Sequence, residues 1–505
     1  MAVETELKLR ISPEQFARLK RHALLKTNQT GRSVTHRLYN VYYDTPKLNL
    51  HQSAMALRLR RVGGQWLQTL KGGGDVKAGL HSRNEWEVAV SGEALDFSSP
   101  ETKELSSHLP ARWRKKLRPV FVTDFSRTTR VLDWQGACIE LCFDQGEIST
   151  EQHSLPICEL ELELKSGESG RLFELALAIL EVVPCELEVV NKAEYGFRLL
   201  EGYTERPVKG AAPDISASDG LPEMLQKLIW SCLLHLQSNL RGAMSSDDGE
   251  YLHQMRVALR RLRVVLRMAE RFRADAQLTA LSGAVAALCV ALGRIREWDV
   301  FIAETLQPMR ARMPGHADLQ ALLALSEQRQ TACYEALRGE TQARELQRLI
   351  LRLALWMNGS YWMAGDEVMP QARDFATRQL RKRFRRLASS AEHLDEFDAG
   401  RLHALRICAK KLRYSAEFFA SLYGKRKPGA FLAALGEVQD VLGQINDVAV
   451  AHRLLDDLAA APELSRHQEA IALAKGWIAH GLAHQLGMLH KTVRRFNEQA
   501  VFWEG

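Results

Sequence analysis

Carboxylates and cations recur at every second position through the first 200 residues of this chain, the spacing that places them on one face of a β-strand. In residues 3–11, Glu4, Glu6, Lys8 and Arg10 share a face, and Val3, Leu7 and Leu9 lie opposite with Thr5. Arg58 and Arg60 stand together opposite Leu57 and Leu59, the segment 66–71 ends in Lys71, and Glu85 pairs with Glu87. Glu159, Glu161, Glu163 and Lys165 line one face against Leu160, Leu162 and Leu164. A charged strand face ordinarily looks into bulk water and mixes Thr, Ser, Gln and Lys. These faces are almost wholly ionic, and acids and bases segregate by strand. A closed antiparallel β-barrel accounts for both features: its apolar face packs outward on flanking helices and its charged face lines a water-filled tunnel. Crowded like charges of this kind call for a counter-charged ligand. Carboxylate clusters suit hard divalent cations such as Mg²⁺, and Arg and Lys suit phosphate oxygens. Together they describe a site for a metal-bound polyphosphate.

A second chemistry lies in the other half. His253, Arg256, Arg260 and Arg263 are separated by three, four and three residues, so they share one helix face. His403, Arg406, Lys410 and Arg413 repeat the pattern 150 positions later, and the same offset relates LGRIRE at 292–297 to LGQIND at 442–447. The duplication predicts an all-α region of two related helical bundles. So many cations on one face destabilise the helix unless solvent screens them, anions bind, or Glu297, Asp299 and Asp447 pair with them. Aromatic residues are not interleaved with the two motifs, unlike sites for single-stranded nucleic acid. A third basic cluster, RKRFRR at 381–386, could extend an anion channel or bind nucleic acid or anionic lipid nonspecifically.

The surrounding chain must position these groups. Its 505 residues exceed one ordinary core. The stretch ERPVKGAAPDISASDG, 205–220, is rich in Pro, Gly, Ala and Ser and reads as a linker between strand-like and helical textures. Residues 220–505 hold 39 Lys and Arg against 31 Asp and Glu, whereas 1–219 hold 29 against 30, so the whole net charge of +7 comes from the helical part. A basic helical half argues for a polyanionic partner. The eight cysteines form no C-x2-C pair, which argues against a zinc site. Gly72–Gly74 reads as a hairpin turn, and no G-x-x-x-x-G-K-[ST] loop is present. The opening MAVETELKLR has charges where a signal peptide needs an apolar core, and no transmembrane run is expected, so the cytoplasm is the expected compartment.

The segment Glu4-Thr5-Glu6-Leu7-Lys8 resembles the E-x-E-x-K signature of the CYTH domain, the fold of the triphosphate tunnel metalloenzymes. Later pieces follow in matching order: the Arg58/Arg60 strand, Lys71, Glu85, Arg127 in TDFSR, Asp144 in CFDQG, the run 159–165, and Lys192 in NKAEYG. The resemblance covers 1–203, an α+β domain followed by a linker at 204–219. It implies Glu4, Glu6, Glu161 and Glu163 as ligands of Mg²⁺ or Mn²⁺, with Asp144 close by. Lys8, Arg58, Arg60, Lys71, Arg127, Lys165 and Lys192 would hold phosphates, and Lys8, Glu6, Arg58 and Arg60 would stand at the catalytic centre. The general base is left open among Lys8, Tyr42 and Tyr43, and Glu85 and Glu87 are either ligands or counter-charges. Members of the family cleave inorganic triphosphate or thiamine triphosphate, or cyclise ATP. Residues 220–505, with the two basic motifs, resemble a CHAD domain, a helical module associated with inorganic polyphosphate and in some cases with polyphosphate granules. The combination is similar to the inorganic triphosphatase type. The expectation is an enzyme acting on inorganic triphosphate that also binds polyphosphate, with neither membrane nor nucleic acid as a partner. A non-catalytic polyphosphate adaptor, a thiamine triphosphatase and an adenylate cyclase are the alternatives.

Overall fold

The computed structural model describes residues 2–77, 80–362, 370–391, 399–424 and 427–504. They divide into two compact units, Met1–Arg206 with Glu340–Trp362, and Pro207–Gly339 with Met363–Gly505.

The first unit is built on strands β1 (Ala2–Arg10), β2 (Gln29–Asp44), β3 (Met55–Val62), β4 (Gln65–Lys77), β5 (Leu80–Val90), β6 (Arg118–Trp134), β7 (Ala137–Ser149), β8 (Ser154–Ser166) and β9 (Glu186–Leu187). They form one antiparallel sheet in the order β5-β4-β3-β2-β6-β7-β8-β1-β9, and β5 pairs in addition with β1. That extra pairing runs from Ala2 opposite Glu85 to Leu7 opposite Leu80, while Glu6–Arg10 of the same strand pairs with β8. Alternation then sorts the side chains. Leu7, Leu9, Leu57, Leu59, Ile139, Leu141, Leu160 and Leu162 are fully buried on one face. Helix α1 (Gly170–Val182) packs beside β1 and β8 and buries Leu172, Leu175, Ala176 and Ile179. The ionic face is buried as well: Glu6 and Lys8 are only 8% and 4% exposed, so it does not look into bulk water.

Local chemistry fixes the turns. Gln135 and Gly136 both have positive φ, 51° and 82°, as the two-residue type I′ turn between β6 and β7 requires. Gly72–Gly74 lies inside β4 and is not the expected hairpin turn. The β4–β5 register shifts between Gly72 and Asp75, and Gly73 at φ 68° takes the conformation of such a bulge. Helix α2 (Lys192–Leu200) is capped by Asn191, whose side chain accepts the Glu194 N–H at 3.0 Å. A Cβ at Gly196 would come within 2.2 Å of the Phe121 ring, so glycine allows this helix to seat against the sheet.

The second unit contains α3 (Leu221–Ser245), α4 (Gly249–Phe272), α5 (Ala276–Val300) and α6 (Ala317–Arg338). After α7 (Glu340–Met357) come α8 (Ala372–Ala391), α9 (Ala399–Phe419), α10 (Lys427–Ala459) and α11 (Gln468–Asn497). The 150-residue offset relates these sets helix by helix, α3 to α8 through α6 to α11, and leaves α7 unmatched. Helix α7 packs in the first unit. Arg348 forks onto Glu181 of α1 at 2.7 and 2.9 Å, and Gln347 Oε1 accepts the Leu187 N–H of β9 at 3.1 Å. The stretch expected as a linker has fixed partners in the second unit: Asn239 of α3 both donates to Val208 O and accepts its N–H, each at 2.9 Å.

One expectation needs correction. Residues 276–293 carry no charge, and the helix continuing over Ala276–Arg312 is long and apolar enough to cross a membrane by length and composition. Its Ala- and Gly-rich composition hides it from a search for bulky apolar residues. Leu278, Leu281, Val285, Leu288 and Leu292 are buried along one side of this helix, and 33% of its apolar window is buried within the chain.

Candidate functional site

Strand register assembles the ionic face. Lys8 lies opposite Glu161 and Glu6 opposite Glu163. Glu159 lies opposite Asp144, and Asp144 opposite Arg127. Helix α2 adds Lys192 from its first turn, with Nζ 2.7 Å from Asp144 Oδ2 and 2.9 Å from Glu161 Oε1, and it also pairs with Glu159. Lys8 pairs with Glu161 and reaches Glu6 at 3.1 Å and Glu159 at 4.0 Å. Arg127 forks onto Asp144 at 2.7 and 2.6 Å and also pairs with Glu161. Three cations thus sit on three carboxylates.

Their proton affinities follow. Burial disfavours charge on Glu161, but Arg127, Lys192 and Lys8 overcome it and hold its carboxyl well below the usual range. Asp144 is held low against burial by Arg127 and Lys192. Burial opposes charge on Lys192, yet Asp144, Glu159 and Glu161 raise it well above an ordinary lysine. Glu159 is pushed up to about 7, because burial outweighs Lys192 and Lys8. It is the carboxyl of the three that takes a proton first.

Further along the sheet, Arg60 Nε donates to Asn40 Oδ1 at 2.9 Å, and Asn40 Nδ2 donates to Thr123 Oγ1 at 2.9 Å. Arg58 approaches Glu85 at 3.5 Å and its buried Nε has no partner. Lys71 pairs with Glu4 and lies 3.4 Å from Glu85, and Glu87 accepts the Thr69 hydroxyl at 2.8 Å. Burial and the neighbouring Arg58 and Arg127 push Arg60 down to about 10. Arg58 and Arg60 therefore present donors that no carboxylate forks onto. Tyr42 is buried, and Arg58, Arg60 and Lys192 outweigh burial and lower its hydroxyl; Tyr43 falls on the other face, among Leu50 and Leu57.

Two groups of carboxylates fit a divalent cation by donor type. Asp144, Glu159 and Glu161 offer oxygens within 4.8 Å of one another, but Lys8, Arg127 and Lys192 already neutralise them. The other is a row across three strands, with Glu163 opposite both Glu6 and Glu140. Like charges directly opposite are destabilising. Burial raises Glu163; Lys165 at 2.7 Å opposes this, and Glu4 and Glu140 add to it. Lys165 itself is 42% exposed at the edge of the group. Glu140 was not among the candidates from sequence, and Glu159 was named on its strand face without a role, although both continue alternations visible there. Asn40 and Thr123 carried no sequence signal.

The CYTH domain family matches residues 2–185 and the CHAD domain family residues 227–456. The CHAD domain from the plant Ricinus communis is similar in structure, with 30% identity over 58% of this chain and 97% of that one and a TM-score of 0.52. The chain belongs to the CHAD domain family, and its residues 2–185 match the CYTH domain family. An inorganic triphosphatase of Haemophilus influenzae is 34% identical over 205 residues, which are 39% of this chain and 55% of that protein. The chain thus spans about half the length of this curated relative. A putative adenylyl cyclase from Hippeastrum, described as having a dominant triphosphatase activity, shows 19% identity over 40% of this chain and 98% of that one, with a TM-score of 0.30.

In the CHAD helices the duplicated motif divides. Arg260, Arg263, His403 and Lys410 line a cavity of about 540 Å³. His253, Arg256, Arg406 and Arg413 do not line it. Arg413 is engaged by Glu417 at 2.9 Å and Gln439 at 3.1 Å. Buried nitrogens of Arg256 (Nη1), Arg260 (Nε) and Arg406 (Nε) have no partner. Of the three acids named as partners for the motif, Glu297 is engaged by Arg453 at 2.6 Å and Asp299 by Gln330 at 2.8 Å and Tyr334 at 3.1 Å, whereas Asp447 lies beside Arg406 and Lys410. Burial, with Arg260 and Arg406 beside it, pushes Lys410 down to about 6. His253 falls to about 4 through burial and Arg296, so near neutral pH it offers a neutral imidazole rather than a charge.

Proposed function

We propose that the CYTH sheet hydrolyses inorganic triphosphate to pyrophosphate and phosphate with Mg²⁺ or Mn²⁺, and that the CHAD helices bind inorganic polyphosphate. The observation that carries the first part is the buried face on which Lys8, Arg127 and Lys192 meet Asp144, Glu161 and Glu159. The pairing of β1 with both β5 and β8 supports a sheet closed into a tunnel around that face. Arg58 and Arg60, which no carboxylate forks onto, would grip phosphate oxygens and neutralise charge passing to the leaving pyrophosphate. Lys8, Lys71 and Arg127 would exchange their carboxylate partners for phosphate as substrate enters. The cation would sit by Glu4, Glu6 and Glu163, with Glu161 toward the lysines, where it would relieve the repulsion of Glu163 with the facing Glu6 and Glu140. When bound, it supplies charge neutralisation and acidifies the attacking water. The curated relative, an inorganic triphosphatase, supports the choice of substrate.

The test is phosphate release from inorganic triphosphate, thiamine triphosphate, ATP and long-chain polyphosphate, with and without each metal. Metal-dependent turnover chiefly on inorganic triphosphate is expected. Glu4→Gln with Glu6→Gln should lower kcat by on the order of a hundredfold while the circular dichroism spectrum stays unchanged. An unchanged rate would remove the metal assignment. A second reading, a polyphosphate adaptor without catalysis, is favoured by the unneutralised cations of the CHAD helices and predicts binding with no turnover on any substrate.

A further inference from the structure

The cavity among α4, α8 and α9 has walls that the duplicated motif does not supply. Arg267 and Arg271 extend the Arg260–Arg263 stripe along α4 at the same helical spacing. The stripe from Arg260 to Arg271 runs about 16 Å along the helix. Opposite it, α8 contributes Lys382, Arg383 and Arg386 from the third basic cluster. Among the described residues the lining holds nine Lys and Arg residues and one His, and no carboxylate. Arg383 donates from Nη1 to the Lys411 carbonyl at 3.2 Å, which fixes its fork, and its buried Nε is left without a partner. Burial, together with Arg271, Arg386 and Arg267, pushes Arg383 down to about 10. Cations brought this close without acids between them repel one another, and a bound anion relieves that repulsion where solvent does not reach, as at the buried Nε of Arg383.

We propose that Arg267, Arg271, Lys382, Arg383 and Arg386 form a second anion subsite, into which a linear phosphate chain held by the duplicated motif continues. This rests on the reading of the CHAD helices as a polyphosphate site and adds a direction and a length to it. The chemistry favours a bare phosphate chain over nucleic acid. Bases need flat aromatic platforms, and the one aromatic residue in the lining, Tyr414, is itself buried. Arg260, Arg263 and Lys410 form the wall shared by the two subsites. Affinity therefore rises with chain length beyond what the motif alone can span.

The test uses the full chain in EDTA, so that hydrolysis is silent, and two polyphosphates: one just long enough to span the motif, one several times longer. Lys382→Ala with Arg386→Ala alters two exposed side chains of α8 and is expected to fold normally; Arg267→Ala is the second variant, on the facing helix. Each should weaken the long chain about tenfold, lower its salt slope, and leave the short chain unaffected. Arg256→Ala with Arg406→Ala should weaken both lengths. An unchanged affinity for the long chain in both variants overturns the subsite. Equal weakening of both lengths overturns the division into two subsites. Single-stranded DNA competing as well as the long chain at equal salt overturns the choice of ligand. A wild-type chain that binds neither length removes the polyphosphate reading itself, and that result appears before any variant is compared.

Discussion

The two ionic sites of this chain are built on opposite principles. On the CYTH sheet the protein supplies both signs of charge: Lys8, Arg127 and Lys192 are each paired with carboxylates, and their partners keep them ionised. In the CHAD cavity the described lining supplies one sign only, and burial with neighbouring cations lowers Lys410 to about 6 and Arg383 to about 10. The first site is complete in itself, and a ligand must displace internal partners. The second is held open against its own repulsion, and a ligand relieves it. Charge in a site therefore says little until its partners are known.

The widest separation between the sites is in stability. Lys192→Met leaves Asp144, Glu159 and Glu161 short of a cation and should cost about 3–5 kcal/mol in urea unfolding at pH 7. Arg256→Ala with Arg406→Ala should cost nothing measurable without ligand, or raise stability by up to about 1 kcal/mol, since it removes buried repulsion. An equal loss in both would erase the contrast. The next effect is on binding: the same CHAD double variant should weaken polyphosphate by about tenfold or more at low salt, with a shallower salt dependence. The most gradual effect, spread over several pH units, is the proton linkage of Lys410. Its pKa in the folded chain is lowered from 10.5 to about 6. The unfolded chain then holds more protons between those values, so ligand-free stability rises with pH across that window. A bound phosphate chain restores the proton, so affinity should fall as pH rises above about 6, by at most tenfold per unit, and Lys410→Met should flatten the profile.

Alternation made the ionic strands legible, because a period of two places every second residue on one face whatever the partner strands. It could not reveal which carboxylates meet which cations, since that depends on register between strands far apart in sequence. Glu140 was passed over for this reason, and Glu159 was seen on its face without its partners. Lys192 sits on a helix and came only from the family resemblance. The glycines at 72–74 looked like a turn because a bulge inside a long strand leaves the same signature. The duplicated motif was visible as eight equivalent positions, yet Arg413 is tied to Glu417 and Gln439 while Arg260 and Lys410 face a cavity. Helical spacing shows that residues share a face, not what the face meets. The third cluster was visible as charge, but its position opposite α4 was not.

Helix α7 bears on how such chains can be cut and recombined. By sequence it lies within the stretch matched to the CHAD family, 227–456, yet its side chains belong to the first unit, where Gln347 holds β9 and β9 in turn lies along β1 beside Lys8. A truncation at residue 206 would remove this brace with the helical half and leave the Leu187 N–H without its acceptor. Exchange of either half for a homologous one would have to carry the matching helix with it. What reads in sequence as two beads on a string is, at this helix, inherited as one piece.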